Sequence, residues 1–230
     1  MWKMLVAVGA LCIGLAGCAL SNWSPYDEFV PPGGQGPVVL LISGSSGPRN
    51  YVFLASDLAS RGYYVVLTDG HAFPAGDVGG GENLQRMIRE AQNSPHALPG
   101  KVGVVGLSLG GGDVLVHAST LPSLVSVVVA YYPDTKSIRD KEDLVGRWAV
   151  PTLVFAGDKD NDPEQYGCCM VDTIKAMAAA AKDRGAPLDL IVYPGARHAF
   201  NLPVVQKFDR AATEDAWQRT LLALQQNLRS

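Results

Sequence analysis

Several patterns that mark other classes of protein are missing from this sequence. Charged residues make up only 18% of the 230 residues and the net charge is −3, so nothing favours binding to nucleic acid. No cluster of Lys and Arg supplies such a surface locally, and no internal repeat or low-complexity tract is present. Apolar residues account for 47% of the chain, which is enough for one domain with a large core.

Cysteine is also scarce, with four residues in the whole chain. Cys12 and Cys18 belong to the N-terminal segment, which leaves the adjacent pair Cys168 and Cys169. Neighbouring cysteines rarely bond to each other because the covalent geometry is unfavourable. A redox or metal role would need a second C-x-x-C or a histidine partner, which the sequence does not place nearby. We therefore predict two small apolar residues on a helix, and no metal site.

The N-terminal segment resembles a secretory signal. Lys3 precedes an apolar run that is too short for a spanning helix, and small residues follow it. Leu15-Ala16-Gly17-Cys18 is typical of the bacterial lipoprotein signal, in which cleavage precedes a cysteine that receives a lipid; an ordinary signal peptide is the alternative. We predict a signal peptide over 1–17, a lipidated Cys18 with a tether over 18–36, and a folded domain over 37–230. The protein would be exported across the bacterial inner membrane and anchored in the envelope.

Short apolar runs alternate with helical patterns along the rest of the chain. Such runs are typical of strands buried on both faces of a parallel sheet. The predicted strands are 37–42, 63–67, 102–105, 124–130, 152–155 and 188–192. The predicted helices are 51–60, 82–92, 113–119, 171–183 and 208–228, the last facing the core with Trp217, Leu221, Leu224 and Leu228. This order predicts an α/β fold with a mostly parallel sheet of about six strands, covered by helices on both faces.

A serine in a glycine-rich segment follows the third predicted strand. Gly106-Leu107-Ser108-Leu109-Gly110 is the G-x-S-x-G pattern, which places a nucleophilic serine on a tight turn between a strand and a helix. The N terminus of that helix favours the negative charge that develops during attack. A phosphate-binding loop is excluded because no Lys-Ser/Thr pair follows the glycines. Ser108 is therefore the predicted nucleophile.

A serine nucleophile needs a base, and the chain has four histidines. His117 is about 13 Å farther along the same predicted helix, and His96 lies in a loop bounded by prolines. His71 precedes the serine in the sequence. His198 follows the last predicted strand and completes the order serine, acid, histidine, so it is the predicted base.

The acid is expected after the fifth predicted strand, in Gly157-Asp158-Lys159-Asp160-Asn161-Asp162-Pro163. An acid there would hold the histidine in the required tautomer and stabilise its charged form. Spacing alone does not choose among the three carboxylates. The same spacing begins an EF-hand calcium loop, but Pro163 and Cys169 stand where that loop requires Gly and Glu. We therefore exclude calcium.

Together these serine, acid and histidine segments resemble the dienelactone hydrolase family, which has the three-layer α/β-hydrolase fold. The resemblance extends from about Val38 to Pro203 and is most specific at Tyr193-Pro194-Gly195-Ala196-Arg197-His198-Ala199-Phe200. It implies an acid three residues after the glycine, at Asp160, with Asp162 as the alternative.

The sequence departs from that family in two places. Well-known members use a cysteine nucleophile, where this chain has Ser108. Members that cleave dienelactone hold its carboxylate with arginines, and segments 68–73 and 199–202 contain none. These departures favour a serine esterase of another acyl preference over cleavage of dienelactone itself.

Backbone N–H groups are expected to form the oxyanion hole. One belongs to Leu109, the residue after the nucleophile. The other belongs to the loop 43–47, at Ser45, with Gly44 as the alternative. We expect His71, Phe73 and Tyr131 to line the pocket, although a core position is equally open for the tyrosine.

These predictions describe an enzyme that cleaves a small-molecule carboxylic ester through an acyl-enzyme on Ser108, with His198 and Asp160 completing the triad. No metal or organic cofactor is implied. A peptidase or acyltransferase on the same triad is an alternative, because the pocket and not the fold decides the substrate. An inactive envelope binding protein on the same scaffold is the other.

Overall fold

A seven-stranded sheet forms the centre of the molecule. The computed structural model describes residues 26–138, 140–161, 168–203 and 207–228. The strands are β1 (Tyr26–Phe29), β2 (Val38–Ile42), β3 (Tyr64–Thr68), β4 (Val102–Leu107), β5 (Val125–Tyr131), β6 (Thr152–Gly157) and β7 (Leu188–Tyr193). Their order across the sheet is β1-β3-β2-β4-β5-β6-β7. All neighbouring pairs are parallel except β1 with β3.

Helices cover the sheet on both sides. They are α1 (Val52–Ser60), α2 (Val78–Gln92), α3 (Leu109–Val116), α4 (Lys141–Arg147), α5 (Val171–Asp183) and α6 (Arg210–Asn227). One apolar core lies between the sheet and α2, α3, α4 and α5, and the other lies between the sheet and α1 and α6. The predicted three-layer α/β architecture is confirmed.

Strand β2 shows why the central strands are apolar throughout. Val38, Leu40 and Ile42 belong to the core under α2–α5, while Val39 and Leu41 belong to the core under α1 and α6. Alternate side chains of a strand point to opposite faces, so a strand covered on both faces has few positions for a polar residue. This burial distinguishes β2 from the edge strand β1, whose Asp27 and Glu28 are exposed.

The edge strand β1 corrects two sequence predictions. The predicted tether includes residues 26–29, but they pair with β3 in antiparallel register, with Tyr26 opposite Thr68 and Phe29 opposite Val65. The sheet therefore has seven strands rather than about six, and the folded domain begins before residue 37. Short length, acidic residues and flanking prolines conceal this strand in the sequence, and these are features of a protected sheet edge.

The helix bounds follow the sequence pattern closely where an end signal is clear. Helix α5 has the predicted bounds, and Leu224 and Leu228 at the end of α6 are buried as expected. Helix α2 begins four residues earlier than predicted, because Asp77 caps it by accepting the N–H of Gly79 at 3.0 Å. Helix α3 begins at Leu109, directly after the serine, rather than at residue 113.

The carboxyl ends of β2, β4, β6 and β7 lead into the segments that hold Gly44, Ser108, Asp160 and His198. In a parallel sheet these ends share one edge, which is where α/β proteins bind ligands. Within the described part of the chain, no helix combines the length and apolar character needed to cross a bilayer.

Candidate active site

Ser108 lies on a tight turn between β4 and α3. Its φ of 54° and ψ of −112° fall outside the regions that non-glycine residues prefer, and its side chain is partly exposed at the end of the strand. The helix begins at the next residue, so its N-terminal dipole points at the serine. This is the strained turn that the G-x-S-x-G pattern predicts.

The glycines on either side of the serine permit this turn. A Cβ on Gly106 would overlap the carbonyl oxygen of Gly110, and a Cβ on Gly110 would come within 2.5 Å of the carbonyl oxygen of Ile42. Any larger residue at either position would push α3 away from β2 and β4. The glycines therefore serve close backbone approach, and the serine itself carries the unusual φ.

Three polar side chains meet at this edge of the sheet. The Oγ of Ser108 lies 3.0 Å from Nε2 of His198, and Nδ1 of His198 lies 2.9 Å from Oδ2 of Asp160. A carboxylate can only accept, so Nδ1–H donates to Asp160 and leaves the Nε2 lone pair to accept the serine hydroxyl. Asp160 is 3% exposed and the His198 side chain 17% exposed, so both are shielded while the serine stays accessible.

The structure separates two of the three carboxylates that follow β6. Asp160 contacts the histidine, whereas Oδ1 of Asp158 accepts the N–H of Gly195 at 2.7 Å and joins the acid loop to the histidine loop. Asp162 lies outside the described residues. Asp160 is further fixed because its carbonyl oxygen accepts the N–H of Val171 at 2.9 Å, at the start of α5.

Backbone strain is concentrated at this site. Among the described residues, the non-glycine positions with positive φ are Ser108, Tyr132 and Ala199. The first presents the hydroxyl, the second follows β5 beside the histidine, and the third directly follows His198. Such conformations persist only where the surrounding structure holds them, and they cluster at functional sites.

Sequence reasoning missed Tyr132 and Asn201. The ring of Tyr132 meets the imidazole of His198 edge-on, with centroids 4.8 Å apart, and its hydroxyl donates to Oδ1 of Asn201 at 2.5 Å. Both residues are buried. The sequence prediction places the neighbouring Tyr131 in the pocket in place of Tyr132.

Two of the three predicted pocket residues lie in the core instead. Phe73 is fully buried in the core under α2–α5. Tyr131 is fully buried in the other core, and its hydroxyl lies 2.7 Å from Oγ1 of Thr220. Composition alone cannot distinguish an aromatic core residue from an aromatic pocket residue. His71 is exposed and paired with Asp69 at 2.8 Å, on the turn whose Gly70 packs against Gly110.

The loop after β2, which the sequence predicts to supply an oxyanion donor, contacts the nucleophile turn. The carbonyl oxygen of Ser43 accepts the N–H of Gly110 at 3.2 Å. A Cβ on Gly44 would lie 3.1 Å from Cβ of Ser108 and 2.6 Å from the Tyr51 hydroxyl. Ser45, the predicted donor, is exposed beside this contact, and Leu109 is the first residue of α3.

The buried side chain of Tyr51 lies next to this loop. Its side chain is 2% exposed, and burial raises the pKa of its hydroxyl, against smaller lowering effects of the Ser46 side chain and the Gly44 backbone. The phenol therefore stays protonated at neutral pH and can act as a hydrogen-bond donor.

The cysteine pair contradicts the sequence prediction. Cys168 and Cys169 form a disulfide between neighbours, in a turn before α5 rather than on a helix. Their sulfur atoms and one ring nitrogen of His198 all lie within 4.8 Å of one another. The histidine partner that the sequence did not place nearby is therefore supplied by the loop after β7.

Comparison with known proteins identifies the family of the chain. Residues 78–228 match the profile of the dienelactone hydrolase family, from the start of α2 to the end of the described chain. The chain belongs to this family. Membership of this family accounts for the sheet order, the serine turn and the histidine loop together. The fold of the chain is that of an α/β hydrolase.

Relatives and solved structures agree with this assignment. A Methylorubrum extorquens protein named "Putative carboxymethylenebutenolidase" is 24% identical over 221 residues, covering 84% of this chain and 73% of the relative. A Bradyrhizobium sp. protein named "Probable 2-oxo-3-(5-oxofuran-2-ylidene)propanoate lactonase" is 25% identical over 218 residues, covering 85% and 86%. The crystal structure of a "Putative Dienelactone Hydrolase" from Klebsiella pneumoniae subsp. pneumoniae superposes with a TM-score of 0.70 at 20% identity, covering 84% of this chain and 88% of that one.

Proposed function

We propose that this protein is a serine hydrolase that cleaves carboxylic esters, lactones included, through an acyl-enzyme on Ser108. The observation that carries the proposal is the continuous pair of hydrogen bonds from Ser108 through His198 to Asp160, at 3.0 and 2.9 Å. These lengths lie within the range in which a base can take a proton from a nucleophile. Membership of a hydrolase family supports the same reading.

The first half of the reaction forms the acyl-enzyme. His198 takes the proton of Ser108 through Nε2 as Oγ attacks the ester carbonyl, and Asp160 stabilises the imidazolium that results. The N–H of Leu109 and an N–H of the 43–47 loop would hold the oxyanion, helped by the dipole of α3. His198 then gives its proton to the leaving alkoxide, which departs as the alcohol.

The second half releases the acid. Water enters, His198 takes one of its protons, and the hydroxide attacks the acyl carbonyl. Collapse of this second tetrahedral intermediate returns the proton to Ser108. In a lactone the alcohol and acid belong to one molecule, so ring opening leaves a single hydroxy acid.

The similar proteins are the reason for including lactones in this proposal. The Bradyrhizobium protein is named as a lactonase, and it matches 85% of this chain. The segments 68–73 and 199–202 contain no arginine, so a neutral ester or lactone fits this site better than one that carries a carboxylate. The absence of arginine from these two segments thus separates this chain from the dienelactone-cleaving members of the family.

Ester turnover by the full chain in detergent tests the proposal. Ser108→Ala should lower kcat/KM for p-nitrophenyl acetate by about 10³-fold or more, and should abolish labelling by a fluorophosphonate probe. Ser60→Ala is the matched control, because Ser60 lies at the end of α1 and its hydroxyl donates to Asp57. Wild-type turnover and labelling in the Ser108→Ala protein would overturn the assignment.

We also propose that the protein is anchored through a lipid on Cys18, in the bacterial envelope. The support is the sequence of residues 1–18, with Lys3, an apolar run and Leu15-Ala16-Gly17-Cys18. Cys18→Ala expressed in a bacterial host should lose metabolic labelling with palmitate and move from the membrane to the soluble fraction. Unchanged labelling would contradict the anchor and leave the hydrolase assignment standing.

A further inference from the structure

The disulfide beside the histidine offers a second chemistry at this site. Cys168 and Cys169 lie on the turn before α5, and His198 lies on the loop after β7. Their three ligand atoms are within 4.8 Å of one another, with Cys169 buried and the other two half-buried. Two sulfurs and an imidazole nitrogen are the ligands that zinc and similar thiophilic cations prefer.

The cysteine turn is held firmly against the nucleophile turn. The carbonyl oxygen of Cys168 accepts the N–H groups of Thr135 at 2.8 Å and Lys136 at 3.2 Å. The neighbouring Asp134 donates its N–H to the carbonyl oxygen of Ser108 at 2.8 Å. Segment 134–136 thus joins the cysteine turn to the serine turn through backbone hydrogen bonds.

Both nitrogens of His198 are already used within the site. Nε2 faces Ser108 and Nδ1 faces Asp160. A metal ion needs the lone pair of one ring nitrogen, so binding must remove one of these two hydrogen bonds. Whichever nitrogen is taken, the imidazole can no longer act as the base, and metal binding and ester cleavage exclude each other.

The distances suit a small tetrahedral site after a modest side-chain rotation. Zinc–sulfur bonds of about 2.3 Å and zinc–nitrogen bonds of about 2.0 Å place tetrahedral ligand atoms about 3.5–3.8 Å apart. The three atoms here already lie within 4.8 Å. The disulfide offers no thiolate, so the site exists only when the sulfurs are reduced.

We propose that the reduced Cys168–Cys169 pair and His198 form an inhibitory site for a thiophilic divalent cation of the zinc class, and that the disulfide protects the enzyme from it. Water would supply the fourth ligand of a tetrahedral site. The inhibition rests on the proposed hydrolase function, whereas the metal binding itself does not.

The redox step balances with a thiol reductant. Two electrons and two protons from a dithiol cleave the bond between the sulfurs of Cys168 and Cys169 and give two thiols, while the dithiol becomes a disulfide. Binding of the divalent cation then releases the two thiol protons. Removal of the metal, followed by oxidation of the two thiols by the disulfide form of the reductant, restores the protected state.

Direct metal binding is the first test. The full-length Ser108→Ala protein is reduced with a phosphine, freed of it under argon, and titrated with Co²⁺ and then Zn²⁺. We expect thiolate-to-cobalt charge-transfer absorption at one ion per chain, displaced by zinc. Replacing both cysteines by serine, or His198 by Asn, should weaken zinc binding by at least about tenfold, which is about 1.4 kcal/mol.

The controls separate this site from the surface. His71→Asn removes the exposed imidazole that pairs with Asp69 and should leave the cobalt spectrum and the zinc affinity unchanged. The unreduced protein should show no thiolate absorption. Absence of that absorption in the reduced protein, or its persistence without the cysteines, would overturn the metal site whatever the enzyme activity.

Ester turnover is the second test. In reduced wild-type protein, Zn²⁺ should lower p-nitrophenyl acetate hydrolysis by at least about tenfold, and a chelator should restore it. The oxidised protein and the double serine variant, each compared with its own metal-free rate, should resist the same zinc concentration. Zinc binding without inhibition would refute the competition for His198, and binding in a protein without esterase activity would refute only the proposed function.

Discussion

The hydroxyl of Tyr132 donates a 2.5 Å hydrogen bond to the side-chain oxygen of Asn201, three residues beyond His198. The edge-on contact of the same ring with the imidazole makes Tyr132 a support for the histidine loop. Tyr132→Phe would leave a buried acceptor unpaired, and we expect it to lower the free energy of unfolding by about 1–3 kcal/mol. The melting temperature and the kcat for a p-nitrophenyl ester should both decrease.

Tyr131→Phe is the matched control for that variant. Its hydroxyl is equally buried and pairs with Thr220 on α6, away from the histidine. It should reduce thermal stability to a similar extent and leave kcat close to wild type. Equal effects of the two variants on kcat would show that Tyr132 acts only through stability.

Replacement of the acid distinguishes the two candidate aspartates. Asp160→Asn keeps the shape of the side chain, but the amide no longer favours the histidine tautomer with a free Nε2 lone pair. We expect kcat to drop by about 10³–10⁴-fold with little change in KM. Asp162→Asn should stay within about twofold of wild type, and the reverse order in steady-state kinetics would transfer the role to Asp162.

A methyl group on Gly44 should disturb the oxyanion loop. The added Cβ would lie 2.6 Å from the Tyr51 hydroxyl and 3.1 Å from Cβ of Ser108. Because one missing oxyanion donor costs about 10²–10³-fold, we expect Gly44→Ala to lower kcat by at least about 10²-fold. Adding Tyr51→Phe removes the closest clash and should restore part of kcat, and a double variant no faster than Gly44→Ala would count against this cause.

Asp113 on α3 makes stability depend on pH. It is fully buried, and neither carboxylate oxygen has a well-aligned partner among the described residues. Burial, and then the charge of Asp134, raise its pKa from the ordinary 3.8 to about 8, against a smaller lowering by the Ala75 backbone. The folded state therefore keeps a proton that the unfolded state loses, so stability should decline as pH rises from about 4 to about 8 and then level off.

Asp113→Asn removes this titration. We expect its melting temperature to exceed that of the wild type at pH 9 and to match it near pH 3, where Asp113 is protonated in both the folded and the unfolded state. Thermal unfolding across this pH range provides the measurement. If the stability of the wild type rose more than that of the variant between pH 5 and pH 8, the raised pKa of Asp113 would be contradicted.

The parts of the fold that could be predicted from the sequence share one physical property. Strands β2 to β6 are largely apolar because both faces are covered, and α5 ends where Arg184-Gly185 stops a helical pattern. By contrast, α4 was missed because only Leu144 and Val145 of this short helix are buried, which is too few to produce a period. The edge strand β1 lacks the apolar pattern for the same reason, since most of it faces solvent.

The site divides along similar lines. Ser108 and His198 follow strand ends within recognisable motifs, whereas the choice of Asp160 over Asp158 depends on loop geometry that spacing does not encode. The pairing of Tyr132 with Asn201, and of the cysteine turn with the histidine loop, joins segments that are far apart in the sequence. Such contacts depend on tertiary structure, so no local pattern predicts them.

Strand β1 runs antiparallel to β3, and this direction decides the rim of the sheet at which the chain enters the domain. Because Tyr26 lies opposite Thr68, the polypeptide enters the domain at the same rim of the sheet where β4 delivers the serine. Three strand spacings separate β1 from β4, which is about 14 Å. Under the proposed lipid anchor on Cys18, this entry point would favour an orientation with the catalytic rim toward the bilayer, where esters held in lipid would reach Ser108.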